Sequence, residues 1–185
     1  MLLTITQYGD PTLRVKCAPA NLSDETLVTL ADNMLETMYA AEGIGLAAPQ
    51  VGQSIQLIVI DLPDEEGEET ENALVNGVLK PIRDIMPLRF VNPKLEPYGK
   101  PCPFYEGCLS ISGIRANVMR PERLKATLTL LDGCALALDC GGLLARCIQH
   151  EADHLNGVLF TDRVSSAAKI TLQKRLKRLA LENAR

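Results

Sequence analysis

Both histidines of this 185-residue chain lie in one short segment, CIQHEADHLNG. His150 and His154 are four residues apart, and Glu151 directly follows the first of them. In an α-helix, residues at this spacing leave the same face about one turn apart, so both imidazoles can bind a single metal ion. The segment therefore predicts a helix that supplies two ligands to one metal. Because the chain has no third histidine, another residue type must complete the site.

The residue types indicate hydrolytic chemistry. Neutral imidazoles bind borderline divalent ions such as Zn²⁺ or Fe²⁺. Glu151 is too close in sequence to His150 to share the metal easily, but its carboxylate can accept a proton from water that the metal activates. The alternative interpretation, two neighbouring histidines on a solvated helix face, does not account for the glutamate between them.

The third ligand is the open question. A zinc endopeptidase would take it from a later histidine or from an acidic residue on a following helix, but Asp162 and Glu182 are poorly placed for this. Upstream, Cys108 lies in YEGCLSISG, where a nearby metal would keep the thiol deprotonated. An isolated cysteine is more often a buried structural residue. The incomplete two-histidine site favours Cys108 as the ligand.

The remaining pattern predicts an α+β fold, with antiparallel strands around a central metal-binding helix and helices at the N- and C-terminal ends. The N-terminal helix is expected to begin at Ser23, as N-cap, and the C-terminal helix to span 165–185. RLKATLTLLDGCALALDC alternates around Asp132-Gly133, a strong hairpin signal. LRFVNPKLEPYGKPCPFYEGCLSI predicts short strands broken by Pro and Gly. The acidic stretch DLPDEEGEETENALVNG predicts a surface excursion over 62–88.

Length and composition set the remaining expectations. We expect a single catalytic domain over 1–185, since 46% hydrophobic and 23% charged residues are ordinary for a globular protein. A net charge of −4 argues against a dedicated nucleic-acid site. No apolar run approaches the roughly 18 residues of a membrane span, and no signal segment is evident, so we expect no membrane partner and a cytoplasmic location.

Three motifs together resemble the peptide deformylase family. They are GIGLAAPQ at 43–50, EGCLS at 106–110 and QHEADH at 149–154, in the order in which the family carries them. The opening DPTLRVKCAPA and the Asp132-Gly133 hairpin are similar to that family too, so the resemblance covers nearly the whole chain. Two departures are the Ser112-Gly113 pair, where many members have proline, and a longer stretch between Gly52 and Glu106.

The resemblance implies a role for each site residue. It implies that Cys108, His150 and His154 are the metal ligands and that Glu151 acts as general base and then as general acid. It also implies that an oxyanion is stabilised by the Gln50 side chain and the backbone N–H of Leu109. For the peptide, it implies main-chain hydrogen bonds from two glycines and a methionine pocket that could include Leu46; the full set of expected substrate-binding residues is Ile44, Gly45, Glu106, Gly107, Arg115, Leu143 and Arg146.

The function implied by the resemblance is removal of the N-formyl group from the initiator methionine of new polypeptides in the bacterial cytoplasm, with release of formate. One divalent metal per chain is implied, natively Fe²⁺, with Zn²⁺, Ni²⁺ or Co²⁺ as alternatives in purified protein. Two other functions remain open: a zinc endopeptidase of the HExxH kind, and a catalytically degenerate, ribosome-associated binding module. The basic C-terminal helix resembles a ribosome-docking segment, although such charges are usually a solvated face; they are Lys169, Lys174, Arg175, Lys177 and Arg178.

Overall fold

The computed structural model describes residues 1–63 and 72–183. Within these residues the chain forms three α-helices, α1 (Thr26–Ala40), α2 (Gly142–Leu155) and α3 (Ser166–Asn183). It also forms seven strands: β1 (Gly45–Ala47), β2 (Leu57–Ile60), β3 (Asn72–Val75), β4 (Val78–Pro81), β5 (Leu88–Cys108), β6 (Ile111–Leu130) and β7 (Ala135–Gly141). They make one sheet in the order β1-β2-β5-β6-β7-β3-β4, and neighbouring strands are antiparallel.

Helix α2 lies at the centre of the fold. Twelve of its 14 residues, from Leu144 to Leu155, are buried, and it packs against β1, β2, β5, β6 and β7. Its apolar residues, including Leu144 and Ile148, join the main core cluster. This burial places both histidines in the interior of the protein. The predicted α+β architecture with a central helix is confirmed.

The two longest strands differ from the prediction of short, broken segments. β5 runs through 21 residues despite its prolines and glycines, and β6 through 20. Pro93 and Gly99 instead lie within register shifts, between Val91 and Lys94 and between Tyr98 and Pro101, whereas Pro97 and Pro103 pair in register with β6. Such bulges absorb a residue that cannot donate to the ladder and let the strand continue. The Asp132-Gly133 hairpin between β6 and β7 is present as predicted, with Gly133 at φ 86°.

The expected surface excursion over 62–88 needs correction in its second half. β3 pairs with both β4 and β7, so this segment belongs to the sheet. Four of its residues are buried in the main core cluster, namely Ala73, Val75, Ile82 and Leu88. The strands are only four residues long, too short for their alternation to stand out beside the acidic run. The acidic residues 64–71 lie outside the described residues.

The helix ends also refine the prediction. α1 begins at Thr26 rather than after Ser23, and Asp24 Oδ1 accepts the Thr26 N–H at 2.9 Å. α3 begins at Ser166, one residue from the expected start, and buries Leu172 against the cluster around Phe160. Among the described residues, none of the helices combines the length and apolar character needed to cross a membrane.

Candidate metal centre and active site

The fold brings Cys108 to the two histidines of α2. Cys108 is the last residue of β5, and its Sγ lies 3.3 Å from His154 Nε2. One ligand atom from each of Cys108, His150 and His154 lies within 4.8 Å of the others. Sulfur and nitrogen ligands of a tetrahedral zinc ion stand about 3.5 Å apart, so this donor set fits one cation of that size. The three predicted ligands therefore converge on one point.

Glu106 orients the first histidine. Its Oε2 accepts a hydrogen bond from His150 Nδ1 at 2.9 Å, which leaves Nε2 for a metal. Arg120 donates to both carboxylate oxygens, at 2.7 and 3.0 Å, and Arg146 donates to Oε1 at 2.8 Å. A carboxylate that accepts four such bonds has no oxygen left for a ligand. The Glu106 side chain is therefore used inside the protein to hold the imidazole, and binding of substrate by this residue stays a prediction.

The buried charges shift the pKa values of this group. Burial would raise the pKa of Glu106, but the bonds from His150 and Arg120 outweigh it and hold the pKa well below its usual range. Burial would lower the pKa of His150, but its contacts with Cys108 and Glu106 raise that pKa to about 10. Burial keeps the pKa of His154 well below its usual value. Binding of a cation at His150 Nε2 would thus release a proton.

Glu151 is a buried carboxylate with one oxygen that accepts no hydrogen bond from the described residues. Its Oε2 has no hydrogen-bond partner in the part of the chain that the structure describes, and the residue is 4% exposed. Burial raises the pKa of Glu151 to about 7, with a partial opposing effect from His150 and Arg120. A carboxyl group whose pKa lies near 7 can both accept and donate a proton at physiological pH, which is the property that general acid–base chemistry requires.

Gln50 presents its amide N–H₂ to the same point. It lies in the 3-10 helix Ala48–Val51, where its Oε1 accepts the Ala47 N–H at 2.8 Å. This bond fixes the amide so that Nε2 faces Cys108 Sγ at 3.4 Å and Ser110 Oγ at 3.3 Å. Gln50 thus supplies an uncharged, pre-positioned donor beside the cluster. Ser110 was missed by the sequence argument, although it belongs to the EGCLS motif.

A cleft of about 630 Å³ opens over the cluster. Of the thirteen predicted site residues it is lined by twelve, all except His154, which is 1% exposed. The prediction that Leu46 lines a methionine pocket is corrected, because Leu46 is buried in the core beside α1 rather than in the cleft. The reason is the alternation of a strand: Gly45 faces the cleft, so its neighbour faces the opposite side. Whether the lining residues bind a peptide stays a prediction.

Sequence reasoning missed Phe104 and Tyr105, which also line the cleft and are 47% and 58% exposed. It missed Arg120 as well, which is buried between Glu106 and Asp153 and donates to the latter at 2.7 Å. A signal existed for Arg120. From Ile114 to Arg120 every second residue of β6 is buried, and Arg120 occupies a buried position where only a paired charge is stable.

The family model and the most similar sequences identify the same protein family. The sequence matches the polypeptide deformylase family over residues 2–169. A peptide deformylase of Opitutus terrae is 42% identical over 182 residues, covering 97% of this chain and 94% of the relative. One of Acinetobacter baumannii is 40% identical over 185 residues, covering 100% of this chain and 95% of the relative.

Solved structures agree with the sequences. A peptide deformylase from Synechococcus elongatus in complex with actinonin has a TM-score of 0.76 at 41% identity, covering 93% of this chain and 85% of that chain. A peptide deformylase from Legionella pneumophila has a TM-score of 0.80 at 34% identity, covering 100% of this chain and 99% of that one. The similarity therefore extends over nearly the whole fold.

Proposed function

The chain belongs to the polypeptide deformylase family, and from this premise we propose how the residues of its cleft divide the work of the reaction. It is a hydrolase that removes the N-formyl group from newly made polypeptides and releases formate. The observation that carries the assignment of roles is the approach of Cys108 Sγ to His154 Nε2, 3.3 Å apart, directly beside the Gln50 amide.

The proposed metal ligands are Cys108, His150 and His154. One thiolate and two imidazoles suit a borderline divalent ion, and we propose Fe²⁺ as the native metal, with Zn²⁺, Ni²⁺ or Co²⁺ able to replace it in purified protein. Bound there, the cation would supply Lewis-acid chemistry, namely activation of water at neutral pH and polarisation of the formyl carbonyl. Glu106 keeps the His150 ring in the orientation that this requires.

Glu151 is proposed as the proton carrier. Its unpartnered Oε2 and its pKa of about 7 support acceptance of a proton from the attacking water and its return to the leaving amine. Gln50 Nε2 and the backbone N–H of Leu109 are proposed to donate to the oxygen of the formyl group as negative charge develops on it. One such donor typically contributes about 3 kcal/mol to stabilisation of the transition state.

The peptide is proposed to lie extended beside β1. Gly45 and Gly107 offer a backbone with no side chain in the way, so main-chain hydrogen bonds can form as in an added strand. The first side chain of the substrate would occupy the part of the cleft lined by Ile44, Leu143 and the stem of Arg146. Exposed Arg115, packed across Gly107, would contact residues further along the peptide.

The zinc endopeptidase alternative is disfavoured by the positions of the downstream acids. Asp162 is paired with Arg14, and Glu182 with Arg178 at 3.3 Å, so neither stands with the two histidines in the described part of the chain. The degenerate binding module is disfavoured because Glu151 and Gln50 both face the ligand cluster.

The proposal includes a location and a docking surface. Cytoplasmic action follows from the substrate, since nascent chains emerge there in bacteria. The exposed basic residues of α3 are proposed to contact the ribosome, where negatively charged RNA would attract them; they are Lys169, Lys174, Arg175, Lys177 and Arg178. Co-sedimentation with ribosomes should weaken when Lys169, Lys174, Lys177 and Arg178 are changed to Glu; Arg175 is kept because it also donates to the Gly113 carbonyl oxygen at 2.7 Å. Unchanged co-sedimentation would remove ribosome docking from the proposal.

One experiment tests the function directly. The protein is purified without oxygen, its metal is identified by elemental analysis, and formate release from formyl-Met-Ala-Ser is measured on the same sample. Formate release in step with metal content is expected. Cleavage of an unformylated internal peptide bond would favour the endopeptidase, and metal without any turnover would favour the binding module.

A further inference from the structure

Arg146 stands one helical turn before His150 on α2, and both side chains bond to the same carboxylate. Arg146 Nη1 donates to Glu106 Oε1 at 2.8 Å, while His150 Nδ1 donates to Oε2 at 2.9 Å. Residues four apart share a helix face. Glu106 therefore bridges Arg146 and the metal-binding histidine across a single turn.

The guanidinium of Arg146 is held on several sides. Nη2 donates to the Cys102 carbonyl oxygen at 2.8 Å, and Nη1 also donates to the Val118 carbonyl oxygen at 3.2 Å. The Phe104 ring lies over the guanidinium, with its centroid 5.2 Å from Cζ. At 6% exposure the cation is largely removed from water, so these contacts weigh more than they would on the surface.

The same residue forms part of the cleft wall. Arg146, Phe104 and Leu143 all line the cleft. Because Phe104 is 47% exposed, it is accessible from the cleft while it also covers the cation. A substrate side chain that enters the cleft would therefore lie against a wall that includes Arg146, and Arg146 is connected to His150 through Glu106.

We propose that Arg146 is a positioning residue that ties the cleft wall to the ring of His150 through Glu106, an inference that rests on the proposed function. Glu106 Oε1 accepts from Arg120 and Arg146, and Oε2 accepts from Arg120 and His150. Loss of Arg146 leaves Oε1 with a single donor, so the carboxylate can rotate and carry the His150 ring with it. Arg146 acts through Glu106 and touches none of the reacting atoms.

The test compares Arg146→Met, which keeps an unbranched stem without the charge, with the unchanged protein in its Zn²⁺-loaded form. The expected result is a fall in kcat of about 10- to 100-fold with little change in KM, and a similar loss of Zn²⁺ affinity in competition with a chelator. Arg123→Met is the matched control, since Arg123 also has an ion pair, with Asp139 at 2.9 Å, and a ring contact, with Tyr98 at 5.7 Å, on the surface. It should leave both quantities unchanged.

A spectroscopic measurement separates positioning from a general loss of structure. The chain has only two histidines, so long-range ¹H–¹⁵N spectra of the imidazoles contain two ring systems. In Arg146→Met, the Nδ1 proton of His150 should shift or broaden while the His154 signals stay in place. A variant with the kcat, Zn²⁺ affinity and His150 signals of the unchanged protein would overturn the proposal.

Arg146→Lys keeps a buried cation, and it tests the positioning role if Arg146→Met does not fold. An ammonium cannot reach both Glu106 and the Cys102 carbonyl in the geometry of the guanidinium fork, so kcat should fall by several-fold, less than in the Met variant. A Lys variant equal to the unchanged protein in kcat and Zn²⁺ affinity would refute the role. Absence of formate release from the unchanged protein would instead overturn the proposed function, while the Zn²⁺ affinity and the histidine spectra would still test Arg146.

Discussion

Gly45 of β1 and Glu151 of α2 lie so close together that no side chain fits between them. A methyl group on Gly45 would stand 2.6 Å from Glu151 Oε1 and 2.8 Å from Cys147 Sγ. The backbone of β1 thus forms one wall of the space that holds the Glu151 carboxylate. The GIGLAAPQ motif and the QHEADH motif meet at this contact.

Gly45→Ala should displace the Glu151 carboxylate and lower kcat. A displacement of about 1 Å at a reacting group can cost about 100-fold in rate, and overpacking of this kind costs about 1–3 kcal/mol of stability. Formate release and thermal unfolding measure the two effects. Gly141→Ala is the control, because its nearest atom outside the adjacent residues would be Arg123 Nη1 at 3.5 Å, an ordinary contact. If Gly45→Ala and Gly141→Ala both kept the kcat of the unchanged protein, the contact between Gly45 and Glu151 would not be needed for the reaction.

Glu151→Gln should retain the metal and lose turnover. The amide has nearly the same size as the carboxylate but cannot accept the proton of the attacking water, so kcat should fall by about 100- to 10,000-fold. Elemental analysis and formate release on the same sample test this. Turnover at the original rate would remove Glu151 from the mechanism.

Cys108→Ser should weaken metal binding. An alcohol remains protonated at neutral pH and is a harder ligand than a thiolate. Mutation of a residue that only holds a ligand in place typically costs up to about 100-fold in metal affinity, and loss of the ligand itself should lower the Zn²⁺ affinity by more than that. Competition with a chelator measures the affinity. Cys134→Ser is the matched control, because Cys134 is exposed in the hairpin between β6 and β7. Normal metal content in Cys108→Ser would contradict the ligand assignment.

Gln50→Ala should lower kcat by about 100- to 1,000-fold with little change in KM, because the lost donor acts on charge that develops only in the transition state. The variant also leaves the Ala47 N–H without its 2.8 Å partner, which should cost about 1 kcal/mol of stability. Steady-state kinetics and urea unfolding separate these effects. A variant in which only KM rises would assign Gln50 to substrate binding instead.

Asp162→Asn should make stability less dependent on pH in the acid range. Burial alone would raise the pKa of Asp162, but the bonds from Arg14 and the Leu159 N–H lower it below 3.8. A lowered pKa in the folded state stabilises the protein above the unfolded value, and this contribution is lost as the pH falls through the folded value. The difference in unfolding free energy between the unchanged protein and the variant should therefore be larger at pH 6 than at pH 3. An equal difference at both values would mean that the Arg14–Asp162 pair does not stabilise the fold.

Local sequence was sufficient to predict the helix that carries the two histidines and the hairpin at Asp132-Gly133. Both depend on short-range geometry, the 3.6-residue period in one case and the turn preference of glycine in the other. The same reasoning failed for β5, because prolines were expected to end a strand, whereas Pro93 coincides with a bulge and Pro97 and Pro103 stay in register with β6.

The function of Glu106 could not be read from its position beside Cys108. Its neighbours in space are Arg120 of the next strand and Arg146 and His150 of α2, and their pairing with it depends on the register of β5 against β6 and on the docking of α2. By its residue types and spacings, the sequence alone determined which side chains could bind a metal and carry a proton. Only the tertiary structure decided which charges neutralise one another, because burial makes an unpaired charge too costly and so selects the partners that the packed chain brings within reach.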